Sequence, residues 1–198
     1  MPVTEIADLK EIHKSLILKG KHSEKFKAAS EKHLKGAKEK YTQLDNIDKS
    51  GSINLKDAAI LFSFIREKNI KTIFEIGTWF GTSAFIMAMA AGEGGMVYTC
   101  DTKDYYVAEH ENIQYFNGES SKYLRTLKGV KFDFVFIDGS FIGNDAKKIS
   151  EKTKIIGVHD YMDNKKGVRN IRVLKKIWGK CNLIKPVKGS TVAFLIKE

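Results

Sequence analysis

The chain of 198 residues predicts an α/β fold, a doubly wound, mostly parallel seven-stranded sheet. A C-terminal antiparallel hairpin and an N-terminal helical extension complete it. Three observations carry this. From Ile70 onward, short β-branched apolar runs alternate with stretches of helical periodicity, the pattern of a parallel sheet with helices on both faces. The run Ile73–Ala84, IFEIGTWFGTSA, joins a buried strand to a small-residue helix through a glycine turn. Polar residues then stand at the carboxyl ends of successive strands.

In chain order, residues 4–19 place Ile6, Leu9, Ile12, His13, Leu16 and Ile17 at helical spacing, and Gly20 is expected to end the run. Ser23 is a plausible cap for a second helix to about Lys40. Its apolar stripe is thin and needs a partner surface, either the main domain or a second copy of the chain. Residues 42–53 are polar and predict a loop. Asn54 and Asp57 form a cap before a helix over 55–68, with Leu55, Ala58, Ala59, Phe62 and Ile65 on its apolar face. Strands are expected at 71–76, 96–100, 113–116, 132–137 and 154–158. Helices are expected at 81–91, 120–127, near 143–151 and at 167–178, with 102–111 as loop or short helix. Two closing strands, about 181–186 and 191–196, flank a turn at Lys188-Gly189-Ser190. The organisation is an extension over 1–54 and a main domain over 55–198.

Composition bounds the class. The chain is 42% hydrophobic with two prolines, ordinary for a globular protein of one domain. It contains no apolar run long enough for a membrane span and no signal peptide, so the expected location is the cytoplasm, with no membrane partner. Cys100 and Cys181 lie far apart in apolar runs and are expected to be buried free thiols. The net charge of +10 is uneven: residues 145–198 carry 14 bases against 5 acids, whereas residues 41–144 carry 10 against 13. Basic ends suit an anionic substrate and leave a nucleic-acid partner open. Lysines spread at helical spacing, with no arginine–aromatic cluster, fit solvated faces better.

The strand-end residues are Glu75, Asp101, Asn117-Gly118-Glu119, Asp138 and His159-Asp160. In an open α/β sheet those ends form the ligand crevice. Asp101 follows Gly81 by 20 residues, where a carboxylate can accept both hydroxyls of a ribose. A dinucleotide would need a further glycine in the turn. Only Gly77 and Gly81 are present, and an anionic Glu75 beside the turn disfavours pyrophosphate. A P-loop lysine is also absent. S-adenosylmethionine, with a ribose, an amino group and a sulfonium, fits.

These residues resemble class I S-adenosylmethionine-dependent methyltransferases of Rossmann-like fold, most closely the small-molecule O-methyltransferases of the catechol and macrocin types. Their E-x-G-x-x-x-G-x-S turn is matched by Glu75 to Ser83, their fourth-strand segment by FDFVFIDGS at 132–140, and their fifth-strand end by VHDY at 158–161. The resemblance covers roughly Asn69 to the C-terminus. It implies that Gly77 and Gly81, with Thr78 between them, line the methionine moiety, while Glu75 holds the turn or the amino group. Ser83 would bond the cofactor carboxylate or cap its helix. Asp101 would hold the ribose, Gly118, Glu119 and Ser120 would border the adenine, and Asp138 would sit near the methyl group. Trp79 and Phe80 read more simply as packing residues.

Metal-dependent relatives carry an acid–Asn or Asp–Asp pair after the fifth strand. Here that pair is His159-Asp160, with Asp163 and Asn164 behind. Three readings stand: a divalent metal such as Mg2+ on Asp138 and Asp160, His159 as a general base oriented by a carboxylate, or His159 as a loop residue. The catalytic candidates are therefore Asp138, His159 and Asp160; His13, His22, His33 and His110 show no ligand spacing. The leading function is methylation of a hydroxyl on a small-molecule acceptor. The alternatives are a nucleic-acid or protein methyltransferase using the basic termini and a non-catalytic S-adenosylmethionine-binding protein. A homo-oligomer through the N-terminal helices is a further expectation.

Overall fold

The computed structural model describes residues 6–24, 52–140, 144–162 and 166–198. The expected second helix, most of the 42–53 loop, Asp163 and Asn164 lie outside the described residues. The described helices are α1 (Ile6–Lys21), α2 (Leu55–Glu67), α3 (Thr82–Ala91), α4 (Ser120–Thr126), α5 (Asp145–Lys152) and α6 (Lys166–Trp178). The strands are β1 (Thr72–Ile76), β2 (Met96–Asp101), β3 (Ile113–Asn117), β4 (Phe134–Ile137), β5 (Ile155–Val158), β6 (Cys181–Ile184) and β7 (Ala193–Lys197). They form one seven-stranded sheet in the order β3-β2-β1-β4-β5-β7-β6. The first five are parallel; β7 runs antiparallel to both β5 and β6.

Successive side chains of a strand face opposite sides of the sheet, and the central strands are buried on both. Ile73, Phe134 and Phe136 enter one core with Leu9 of α1, Leu61 and Ile65 of α2, and Ile86 and Met87 of α3. Phe74, Val135 and Ile137 enter the other with Leu124, Ile149, Ile171 and Leu174 of α4, α5 and α6. Helix α3 is rich in alanine because it is buried on nearly every side; only small residues allow the close approach to α2 and the sheet. Among the described residues no helix is long and apolar enough to cross a membrane.

Several expectations are adjusted. Gly20 does not end α1, which runs to Lys21. A Cβ there would run into the Phe80 ring, so the glycine lets the helix seat against the β1–α3 turn. His13, dismissed as a ligand, is buried with Nε2 2.6 Å from the Ile53 carbonyl, pinning α1 to the approach of α2. Residues 102–110 form no helix. β4 begins at Phe134 rather than 132, because the Asp133 carboxylate instead accepts the Lys71 and Thr72 N–H groups at 3.0 and 2.8 Å. Cys181 is only partly buried, on edge strand β6; Cys100 is buried and free as expected.

Candidate functional site

The direction of winding reverses between β1 and β4, since β2 and β3 lie on one side of β1 and β4 and β5 on the other. The crevice at their carboxyl ends is where such sheets bind ligands. Gly77 opens it at φ +98°, and a Cβ there would sit 3.0 Å from the Asp138 carbonyl carbon and the Gly139 nitrogen. Gly81, at φ +86°, caps α3 without a side-chain hydrogen bond, so the cap role weighed for Ser83 belongs to a glycine. A Cβ on Gly81 would meet the Tyr106 ring at 2.7 Å. Trp79 lies at φ +50° and its N–H donates to Asp101 Oδ2 at 2.9 Å, while Lys103 N–H donates to Oδ1 at 3.0 Å. Asp101 thus braces the turn that it was expected to serve across a ribose, and each carboxylate oxygen keeps a lone pair. Trp79 packs edge-on against Tyr105 at 4.9 Å and Phe80 is fully buried, both packing residues as expected.

Glu75 lies inside this turn and does not face outward. It has no exposed surface; Ser83 Oγ donates to its Oε1 and Thr99 Oγ1 to its Oε2 at 2.5 Å. Thr99 Oγ1 is also 2.6 Å from Thr78 Oγ1. Burial pushes the Glu75 carboxyl up to about 8, against the pull of the Ser83 and Thr99 hydrogen bonds and with the added repulsion of Asp138 and Asp101. Burial thus favours the neutral acid, and the two hydroxyl donors favour the carboxylate. The missing middle glycine disfavours pyrophosphate in either state. Both Glu75 oxygens are taken up by hydroxyls of the turn and of β2. Ser83 and Thr78 act with Glu75 from inside.

At the end of β3, Gly118 N–H donates to the Asp101 carbonyl at 2.8 Å. Glu119 precedes α4 as its half-buried N-cap residue, with Lys122 Nζ 4.0 Å from its carboxylate. Ser120 turns inward; it is buried and donates to Asp145 Oδ2.

Beyond β4 and β5 the charges alternate in a chain. Asp57, from the first turn of α2, has no exposed surface. Its Oδ1 accepts Ser190 Oγ at 2.5 Å and Thr191 N–H at 2.9 Å; its Oδ2 accepts Asn54 Nδ2 at 2.7 Å and Thr191 Oγ1 at 3.1 Å. His159 Nε2 lies 3.2 Å from Asp57 Oδ2, and Nδ1 lies 2.9 Å from Asp138 Oδ1. Lys166 Nζ donates to the Asp138 carbonyl, to Asp138 Oδ1 at 2.7 Å, and approaches Asp160 Oδ2 at 3.3 Å. Gly167 makes this possible: a Cβ there would come within 2.5 Å of the His159 carbonyl oxygen, so only glycine lets the start of α6 abut the end of β5.

The protonation states follow. Burial alone would push the His159 imidazolium down, but hydrogen bonds to Asp138 and Asp57 and the nearby carboxylate charges outweigh it and hold the group up at about 10. Burial likewise pushes Asp57 up, but the hydrogen bonds from His159, Ser190 and Thr191 overcome it and hold the carboxyl down at about 2. His159 is thus an imidazolium at neutral pH, with no lone pair to accept a proton. Both ring nitrogens are engaged by carboxylates, an arrangement that does not favour the general-base reading.

Asp138, His159 and Asp160 do offer ligand atoms within 4.8 Å of one another, the spacing of a metal site. They do not fit a divalent ion as arranged. Both ring nitrogens of His159 face carboxylates, and the Lys166 ammonium already bridges Asp138 and Asp160. At the turn, Gly77 lets β1 close against the Asp138-Gly139 backbone and Gly81 lets Tyr106 and Ala108 pack over the start of α3, with Asp101 at the rim.

The sequence-predicted residues are thus brought together at one end of the sheet, with Glu75, Ser83 and Ser120 beneath its surface. Sequence reasoning missed Asp57 as a partner of His159, and also Thr99 and Lys166. Thr99 was reachable, since parallel register sets it beside Glu75. Asp57 reads as an ordinary capping residue, and Lys166 belongs to no motif in the sequence.

Comparison with known proteins agrees with this fold. A family model described as a methyltransferase domain matches residues 74–161. Among curated proteins none matches the chain. The O-methyltransferase from Bacillus cereus, solved in complex with SAH, is similar with a TM-score of 0.59 and 16% identity, over 87% of this chain and 96% of that one. TomG from Streptomyces achromogenes, an O-methyltransferase of tomaymycin synthesis in complex with SAM, gives 0.59 and 18%, over 89% and 91%. SAH-bound PaMTH1 of Podospora anserina gives 0.56 and 16%, over 80% and 85%. At these identities the likeness is one of fold.

Proposed function

We propose that this chain, which carries a methyltransferase domain over residues 74–161, transfers a methyl group from S-adenosylmethionine to a hydroxyl of a small molecule. The observation that carries the reading is the Gly77–Gly81 turn at the β1/β4 switch point, braced by Asp101 at the end of β2. The cofactor supplies an electrophilic methyl on a positively charged sulfur. The chain's own residues bind and orient. Gly77 and Gly81 admit the methionine moiety, the α3 N-terminus offers free N–H groups, Asp101 receives the ribose, and Gly118 and Glu119 border the base.

Transfer forms an oxygen–carbon bond as the carbon–sulfur bond breaks, and the bonding pair stays on sulfur. The hydroxyl proton must leave. His159 and Lys166 are both cations, so neither takes it; the carboxylates at this end do. Asp160, with 39% of its side chain exposed against 15% for Asp138, is the more open to an acceptor. Alignment of the acceptor beside the methyl group supplies much of the rate.

The cofactor half is tested by thermal denaturation. S-adenosylhomocysteine at about 100 times its Kd stabilises by about 2.7 kcal/mol through mass action, and Asp101→Ala removes the shift. No shift of the wild-type melting temperature at saturating ligand overturns the assignment.

A further inference from the structure

The site of the proposed reaction holds two carboxylates that, in the metal-dependent enzymes the sequence resembles, would face a divalent ion. In this chain they face a lysine. The Lys166 ammonium has three N–H donors, and three oxygens are set around it: the Asp138 carbonyl, Asp138 Oδ1 at 2.7 Å and Asp160 Oδ2 at 3.3 Å. The lysine is placed by structure, because α6 begins against the His159-Asp160 backbone, an approach open only to Gly167 beside it. Asp138 Oδ1 receives His159 Nδ1 as well, at 2.9 Å.

Charge and coordination point the same way. The Lys166 ammonium lies between the two carboxylates, 2.7 Å from Asp138 Oδ1 and 3.3 Å from Asp160 Oδ2, where an ion bridging the pair would have to sit. Magnesium needs about six oxygens near 2.1 Å in octahedral array. Here the imidazole offers none, and an ion on Asp138 would press against the ammonium that shares its oxygen.

We propose that the Lys166 ammonium is the built-in cation of the Asp138–Asp160 pair, so that this site works without a divalent metal. Lys166 is a positioning residue. It holds the two carboxylates together and keeps Asp160 turned toward Asp138 across the crevice. The inference rests on the methyltransferase reading for its purpose, but its test does not depend on activity.

The experiment is a titration of the whole chain with Mn2+, followed by the loss of the free-ion electron paramagnetic resonance signal. Wild type and Lys166→Arg are expected to leave the ion free at about millimolar concentration. Lys166→Met, which keeps the apolar stem, and Lys166→Ala are expected to bind it about tenfold more tightly or better, because a charge next to the ion has been removed. Tight binding by wild type, or neutral variants that bind no better than wild type, overturns the proposal. Should a neutral variant fail to fold, the wild-type titration alone still decides against the proposal if the ion binds. S-adenosylhomocysteine melting on the same samples separates the two failures. A wild-type protein that binds Mn2+ and S-adenosylhomocysteine refutes only the lysine; one that binds neither refutes the methyltransferase reading and leaves the lysine standing.

Discussion

Replacing Asp57 with Asn tests the chain of alternating charges at its buried end. The wild-type carboxylate is fully buried and meets donors from Asn54, Ser190, Thr191 and His159. The amide introduced by Asp57→Asn would turn an NH2 toward some of those donors and remove the charge facing an imidazolium. Breaking a buried, hydrogen-bonded pair from one side costs about 3–5 kcal/mol. The pH dependence carries the diagnosis. His159 is raised from 6.5 to about 10, so its stabilisation is fully present below pH 6.5 and is lost as pH rises through about 10. Asp57 is lowered from 3.8 to about 2, so its share is present above pH 3.8 and lost as pH falls through about 2. The His159 shift is the larger because three carboxylates act on it, whereas Asp57 has one cationic partner. Asp138 at 2.9 Å and Asp160 at 3.7 Å remain in the variant, so the His159 pKa should fall by about 1–2 units, not to 6.5. Urea denaturation from pH 5 to pH 10 should show a wild-type advantage that holds up to about pH 8, where the variant's imidazolium begins to lose its proton. The gap should then narrow by on the order of 1–3 kcal/mol toward pH 10. NMR titration of the ring gives the pKa directly. A gap constant across that range, or a wild-type His159 titrating near 6.5, would refute the ion-pair account.

Glu75→Gln tests the turn from within. A carboxyl raised from 4.5 to about 8 binds more protons folded than unfolded, so it lowers stability progressively as pH rises from 4.5 to 8. The Gln variant should therefore gain on wild type across that interval while keeping S-adenosylhomocysteine binding; loss of binding with an intact fold would return Glu75 to the cofactor amino group. Gly77→Ala places a Cβ 3.0 Å from the Asp138 and Gly139 backbone at φ +98°. It should cost about 1–3 kcal/mol and abolish the S-adenosylhomocysteine melting shift, and a normal shift would mean that the turn does not contact the ligand. Gly167→Ala would put a Cβ 2.5 Å from the His159 carbonyl oxygen. A loss of about 1–3 kcal/mol in urea is expected, and unchanged stability would show that α6 does not abut β5.

The fold was legible because its signals are local. The apolar, β-branched run around Ile73, Phe74 and Ile76 and the glycine turn behind it mark a central strand whatever the rest does, and β1 lies between β2 and β4. Positions along the crevice were legible for the same reason, since every strand of a parallel set ends on the same side. Orientation was not. Glu75, Ser83 and Ser120 have the residue types of ligand contacts, but each is buried and spends its polar atoms on a neighbour. Sequence spacing fixes where a Cβ sits, and the choice between ligand and protein partner depends on which hydroxyl happens to lie across from it.

Protonation was the least legible property, because it depends on partners remote in sequence. Asp57 and His159 are 102 residues apart and meet only because the loop before β7 brings Ser190 and Thr191 onto the first turn of α2. That contact ties an N-terminal helix to the end of β5 and decides the chemistry of the crevice. With Asp57 in place His159 carries a proton, with His159 charged Asp138 stays paired, and with Lys166 on the far side of Asp138 the two carboxylates are held without an ion. Each step changes the state of the next group, so a substitution at the buried end should be felt at Asp160, on the exposed one.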